Sequence, residues 1–320
     1  MMKKPNRSNS TTLTLGICTF NRCDSLAITL ASIVDLKTSL YDGDEIIVID
    51  NNSSDSTKEL VESFSKELPL RYVFEKKQGL SAARNRLTSE SKADVVIFVD
   101  DDVTLYEGFV DEYRQAFQNY PNTGFFGGKL LIDWQGRPPP WYRDDSLPLI
   151  NGLIIHYDLG DNDCEYDKAD LLPYGASFAL RASTIDTVGY FDESLGVKGT
   201  QIDRGEETDY FMRAIEAGIK GRYVANAKAG HRFDPSRITL SYLYSYGLAK
   251  GRFSSSVSEL DGSSEKQTQR VGGLNFFIGQ IVYGLRSCFQ LLKGRPDRFY
   301  QSVINLGIRR SVYLQTKDWV

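Results

Sequence analysis

The stretch Phe98-Val99-Asp100-Asp101-Asp102-Val103 decides how the rest of the chain is read. It continues Asp94-Val95-Val96-Ile97, a short apolar run rich in β-branched residues, which reads as a buried central strand. The strand ends in three carboxylates, Asp100, Asp101 and Asp102. Unpartnered carboxylates are costly inside a core, so they belong where the strand leaves it. In an open α/β sheet that place is the carboxyl edge, where ligands bind. Alternation along an extended segment points Asp100 and Asp102 to one side and Asp101 to the other. Paired oxygen donors suit a hard cation, Mn²⁺ or Mg²⁺, that holds a phosphate. The plainer alternative is an acidic turn after a strand.

Working outward, the flanking segments repeat one pattern. Residues 13–20, 44–50 and 70–75 read as strands, and amphipathic helices follow at about 25–36, 57–66 and 79–90. Four strand–helix units in succession predict an α/β fold with a doubly wound, mostly parallel sheet flanked by helices. Parallel strands end on the same side, so Thr19, Asp50 and Asp100 converge at one edge. A helix is expected at about 106–118 and a strand near 129–132, whereas residues 133–170 lose the pattern and read as a long irregular segment. Residues 171–181 return to the sheet. The sequence Gly205-Glu206-Glu207-Thr208-Asp209-Tyr210-Phe211-Met212-Arg213-Ala214-Ile215-Glu216-Ala217-Gly218 reads as a helix with three acids in its first turn and a glycine stop. First-turn acids also arise simply because they complement the helix dipole. A last short strand is read at 222–225, ahead of Gly230-His231-Arg232-Phe233.

The chain of 320 residues is 41% hydrophobic and 25% charged, ordinary for a soluble globular protein, and its net charge of −4 gives no footprint for nucleic acid. Four cysteines without a CxxC pair imply neither a disulfide framework nor, with two histidines, a zinc site. Residues 1–12 are basic and polar with no apolar run behind them, so they read as a disordered tail and not a secretory leader. No run reaches the roughly 18 apolar residues of a spanning helix. The expected location is cytoplasmic or peripheral at the inner face of the membrane. Residues 13–235 read as the main domain and 236–320 as a helical C-terminal extension with a Ser-rich linker at 254–264. Residues 271–285 are free of charge, and Lys293, Arg295, Arg298, Arg309 and Arg310 follow. This segment reads either as an amphipathic anchor on an anionic membrane surface or as a packing surface, for instance in a homodimer.

Taken in order, these residues resemble the inverting family 2 glycosyltransferases, which have the GT-A fold. The pieces are Thr19-Phe20-Asn21-Arg22, Ile49-Asp50-Asn51-Asn52-Ser53-Ser54-Asp55-Ser56-Thr57, Gly79-Leu80-Ser81-Ala82-Ala83-Arg84-Asn85, Asp100-Asp101-Asp102, Gly189-Tyr190-Phe191-Asp192-Glu193 and Gly205-Glu206-Glu207-Thr208-Asp209. The resemblance implies transfer of a sugar from a nucleotide-diphosphate sugar, commonly a UDP-sugar, to a glycan or lipid-linked glycan in polysaccharide assembly. It implies that Thr19, Asn21, Arg22, Asp50, Arg84, Asp100 and Asp101 line the nucleotide site. Asp102 and His231 are then the metal ligands for Mn²⁺ or Mg²⁺. The family's Glu-Asp pair is Glu206-Glu207 here, which makes Glu207 the expected base and leaves Glu206 as the other candidate. A phosphatase of the haloacid dehalogenase type shares the apolar strand and DxDx[TV] pattern, and a non-catalytic sugar-nucleotide-binding module is a further alternative.

Overall fold

The computed structural model describes residues 11–142, 148–166, 171–198, 205–260 and 273–317. Most of the expected tail, parts of 133–170 and 254–264, and residues 271 and 272 lie outside them. The chain divides into two compact units. One comprises Met1–Asp133, Tyr157–Gly199 and Glu206–Arg232, the other Trp134–His156, Thr200–Gly205 and Phe233–Val320.

The first unit holds the sheet. Strands β1 (Leu13–Thr19), β2 (Glu45–Asp50), β3 (Leu70–Phe74) and β4 (Val95–Asp100) alternate with helices α1 (Cys23–Asp35), α2 (Thr57–Phe64) and α3 (Leu80–Glu90). Next come β5 (Val103–Leu105), α4 (Phe109–Asn119) and β6 (Thr123–Trp134). After α5 (Pro148–Ile154) follow β7 (Cys164–Glu165), β8 (Ser177–Arg181), α6 (Ala182–Val188), α7 (Glu206–Glu216) and β9 (Lys220–Phe233). The strand order is β3-β2-β1-β4-β8-β6-β9-β5, with β7 against β9. The expected parallel arrangement holds for β3-β2-β1-β4, whose continuous apolar runs made it legible. Beyond β4 the sheet becomes antiparallel, β8 pairing with β4 and β6, and β5 and β7 with β9, so the whole is mixed. The register sets Thr19 opposite Asp50 and Cys18 opposite Asp100, which brings three strand ends level.

Two strands are longer than the sequence suggests. β9 does not end at Ala225 but runs on through His231, and β6 begins at Thr123. Alanines and glycines of low strand propensity hide both. Gly128 shows why they are there: a Cβ would meet the Ala227 carbonyl oxygen at 2.4 Å. The segment read as irregular carries α5 and β7.

An aromatic core lies beneath α3 and α7. Phe98 stacks on Phe178 at 4.5 Å, Phe125 on Phe211 at 4.9 Å and Phe191 on Tyr210 at 4.4 Å. The buried face of α7 is Tyr210, Phe211 and Ala214, and Ile215 turns out to solvent. Burying aromatics of this size contributes roughly 1.5–3 kcal/mol each, which fixes α7 on the sheet and with it the acids of its first turn.

The second unit contains α5 and three long helices, α8 (Leu240–Leu260), α9 (Gly273–Leu292) and α10 (Pro296–Lys317). The described part of the expected serine linker continues α8 as helix. Gly247 of α8 sits where a Cβ would lie 2.1 Å from the Ile304 carbonyl oxygen, so α8 and α10 pack backbone to backbone. Among the described residues no helix is long and apolar enough to cross a membrane.

Candidate active site

Three strands of the parallel half, β1, β2 and β4, each deliver one polar residue, Thr19, Asp50 and Asp100, to the common edge. Asp50 ends β2, and its two oxygens accept from the Ser53 amide at 2.8 Å and the Tyr72 hydroxyl at 2.7 Å. Asn21 takes a positive φ of 51° after β1. Its side-chain oxygen accepts from the Ser54 amide at 2.7 Å, which ties the loop after β1 to the loop after β2. Asn51, which the sequence reading passed over, does the same for the next loop: it donates to the Lys77 carbonyl at 2.6 Å and accepts from the Gly79 amide at 2.8 Å.

The three aspartates divide between two clusters. β4 ends at Asp100, and Asp101 and Asp102 form a turn, so strand alternation no longer governs where they point. Asp101 and Asp102 both face Arg22, at 2.9 and 2.8 Å. Asp101 also accepts from the Thr19 hydroxyl at 2.6 Å. Antiparallel pairing of β5 with β9 sets Val103 opposite His231, and this brings the His231 Nε2 within 3.5 Å of Asp102 Oδ2. Arg232 fixes the turn from beneath, its guanidinium donating to the carbonyls of Val103 at 2.8 Å and Asp101 at 3.0 Å. Burial pushes the Asp101 carboxyl up to about 7. Burial acts on Asp102 in the same sense, but His231 and Arg22 outweigh it and hold that carboxyl well below its ordinary range.

The second cluster surrounds Arg84 on α3, whose guanidinium is buried. It donates to Glu206 Oε1 at 2.8 Å and to the Gly175 carbonyl at 3.2 Å, and lies 3.8 Å from Asp100. Phe178 and Phe191 stand against it at 5.3 and 5.7 Å. Gly175 is required here, because a Cβ would come within 2.7 Å of an Arg84 nitrogen and 3.5 Å of the Glu207 carboxyl carbon. One cation thus serves Asp100, Glu206 and Glu207. Burial, and then the neighbouring Glu207 carboxylate, push Glu206 up to about 8 against the pull of Arg84. Burial likewise raises Asp100 to about 6, with Arg84 opposing. Glu206 is buried and Glu207 half-buried, so of the two only Glu207 is open to an incoming group. A buried carboxyl raised in this way holds a proton near neutral pH, which leaves the more accessible Glu207 as the candidate acceptor.

A divalent ion fits the first cluster. Asp102 Oδ1 is buried and has no hydrogen-bond partner, and His231 stands beside its other oxygen. Among the described residues no three acids, cysteines or histidines converge as a complete cage. Asp102 and His231 would hold such an ion, and the rest of its shell would be open to phosphate oxygens.

Residues 14–182 match the model of Glycosyl transferase family 2. A glucosyl-dolichyl phosphate glucuronosyltransferase of Haloferax volcanii is 21% identical over 235 residues, covering 71% of each chain. Chondroitin synthase of Escherichia coli is 27% identical over 251 residues, and the match covers 70% of this chain but only 35% of that one. A mannosyltransferase of Pyrobaculum calidifontis, solved with GDP-Man and Mn²⁺, superimposes with a TM-score of 0.64 at 13% identity, over 98% of this chain and 90% of that one. The fold is GT-A. The chain belongs to glycosyl transferase family 2, a family of glycosyltransferase enzymes.

Proposed function

We propose that the chain transfers a sugar, with inversion, from a nucleotide-diphosphate sugar to a hydroxyl of a glycan or lipid-linked glycan. A UDP-sugar is the preferred donor and polysaccharide assembly the setting. The observation that carries this reading is the division of labour across one contiguous acidic turn. Asp101 and Asp102 meet Arg22 on one side, with His231 beside Asp102, and Asp100 meets Arg84, the partner of Glu206, on the other.

The first cluster suits the leaving diphosphate. Asp102 and His231 would hold Mn²⁺ or Mg²⁺, which supplies positive charge where the diphosphate departs. Arg22 is half-exposed and adds a second cation. Asp50 keeps lone-pair capacity for a donor N–H of the base. The second cluster suits the acceptor. Glu207 takes the proton of the attacking hydroxyl while the new C–O bond forms at the anomeric carbon. The bond to phosphate oxygen breaks on the opposite face, and its electron pair leaves with the nucleotide. A single in-line displacement of this kind inverts the centre, and its positive character resembles an oxocarbenium ion. Glu206 retains its proton and keeps Arg84 and Glu207 in place.

Incubation with UDP-, GDP- and dTDP-sugars, with Mn²⁺ and with EDTA, tests this. The expected result is metal-dependent nucleotide release from one donor class and no hydrolysis of p-nitrophenyl phosphate. Phosphate-ester hydrolysis without any donor turnover would overturn the proposal.

A further inference from the structure

We infer that α9 is an interfacial helix by which the chain lies on an anionic lipid bilayer. The inference goes beyond the transfer reading and does not depend on it. Along the described side chains of α9, Ile281, Leu285, Phe289 and Leu292 are 53%, 67%, 52% and 83% exposed. With Val282 and Cys288, which are also exposed, they fall within about 120° of the helix circumference at 100° per residue. Leu291, 45% exposed, lies outside this arc, and Ser287, on the side opposite it, is buried, so the apolar arc faces outward. A contiguous apolar stripe of this kind is uncommon on a soluble surface and marks a contact site.

The charges say what the stripe contacts. Arg286 and Lys293 lie along one edge of the apolar arc, and both are exposed. The Lys293 amine stands 4.8 Å from the Phe289 ring, so its charge sits directly beside the apolar arc. From Gly273 to Lys317 there are seven Lys and Arg residues and one acid, Asp297, a net +6 in a chain of net −4. Asp297 is already paired with Arg295 at 3.2 Å. An antiparallel two-fold contact between copies through this stripe would set basic edges beside each other. An anionic bilayer instead accepts the apolar arc below the headgroups and neutralises Arg286 and Lys293 at their level. The helix lies in the surface and does not cross it, in keeping with its composition.

The test is co-sedimentation of the full chain with vesicles of phosphatidylcholine alone or mixed with phosphatidylglycerol. Binding to the mixed vesicles, weakened by high salt, is expected. Leu285→Asp with Leu292→Asp should lower the partition coefficient by at least about tenfold. Arg286→Ala with Lys293→Ala should lower it by about fivefold per charge. All four positions are exposed, and far-UV circular dichroism checks that the variants fold. A polarity-sensitive dye on Cys288, read against a Cys288→Ser control, should shift to the blue on mixed vesicles only. Equal binding by the Asp variant overturns the inference. So does a chain that ignores anionic vesicles and sediments as a dimer split by the same substitutions.

Discussion

Replacing Glu206 by Gln should remove a pH dependence from the stability of the first unit. The Glu206 carboxyl is buried and raised to about 8, whereas in the unfolded chain it titrates at its ordinary 4.5. A carboxyl raised on folding contributes stability that is fully present below the unfolded value and is lost as pH rises through the folded one. Between pH 5 and 7 the unfolded chain has released this proton and the folded chain still holds it. The loss is at most about 1.4 kcal/mol per pH unit, so roughly 2–3 kcal/mol across that interval. Gln keeps the acceptor for Arg84 and presents an N–H to Glu207, but cannot titrate. The difference in Tm between the variant and the parent should therefore swing by about 4–12 °C in favour of the variant from pH 5 to 7. Thermal unfolding in EDTA-containing buffers at pH 5, 6 and 7 measures it. Parallel curves, with the variant lower throughout, would refute the reasoning: Glu206 would then be a plain ionised partner of Arg84.

Arg84→Met should destabilise the fold by roughly 3–5 kcal/mol, because it leaves the Asp100 carboxylate without its cation and the buried Glu206 carboxyl without its donor; denaturant titration measures this, and a loss below about 1 kcal/mol would mean that the cluster is not buried in solution. Asp102→Ala should abolish the metal dependence of nucleotide binding, with UDP and GDP affinity compared by calorimetry with and without EDTA. An unchanged affinity for both would count against Asp102 as the ligand.

The four parallel strands and their polar ends were legible because a strand buried on both faces must be apolar throughout, and its acids can stand only at its ends. Other features were not legible for physical reasons. β6 and β9 carry glycines, and β9 also alanines, of low strand propensity; that Gly128 makes room for the Ala227 carbonyl of β9 is visible only once the partner is known. Asp101 and Asp102 turn toward the same arginine because β4 stops one residue before them. Arg84 stands out in sequence only through the family resemblance, as a nucleotide-site residue; its partner Glu206 is 122 positions away, and nothing local encodes that meeting. Arg232, beside His231, carries no motif and yet fixes the acidic turn from below. The acids that open α7 fit a dipole-complementing role in sequence, and the meeting of Glu206 with Arg84 distinguishes it from an ordinary first-turn acid.

The most direct test of the account is the turnover of Glu207→Gln with the donor that the nucleotide screen identifies. Gln preserves size and hydrogen bonding and removes only the proton-accepting oxygen. Nucleotide affinity and Tm should stay near those of the parent, and sugar transfer should fall by about 10²–10⁴-fold, the usual worth of a positioned base. Near-normal transfer by Glu207→Gln, or a collapse seen instead with Glu206→Gln at unchanged stability, would contradict it.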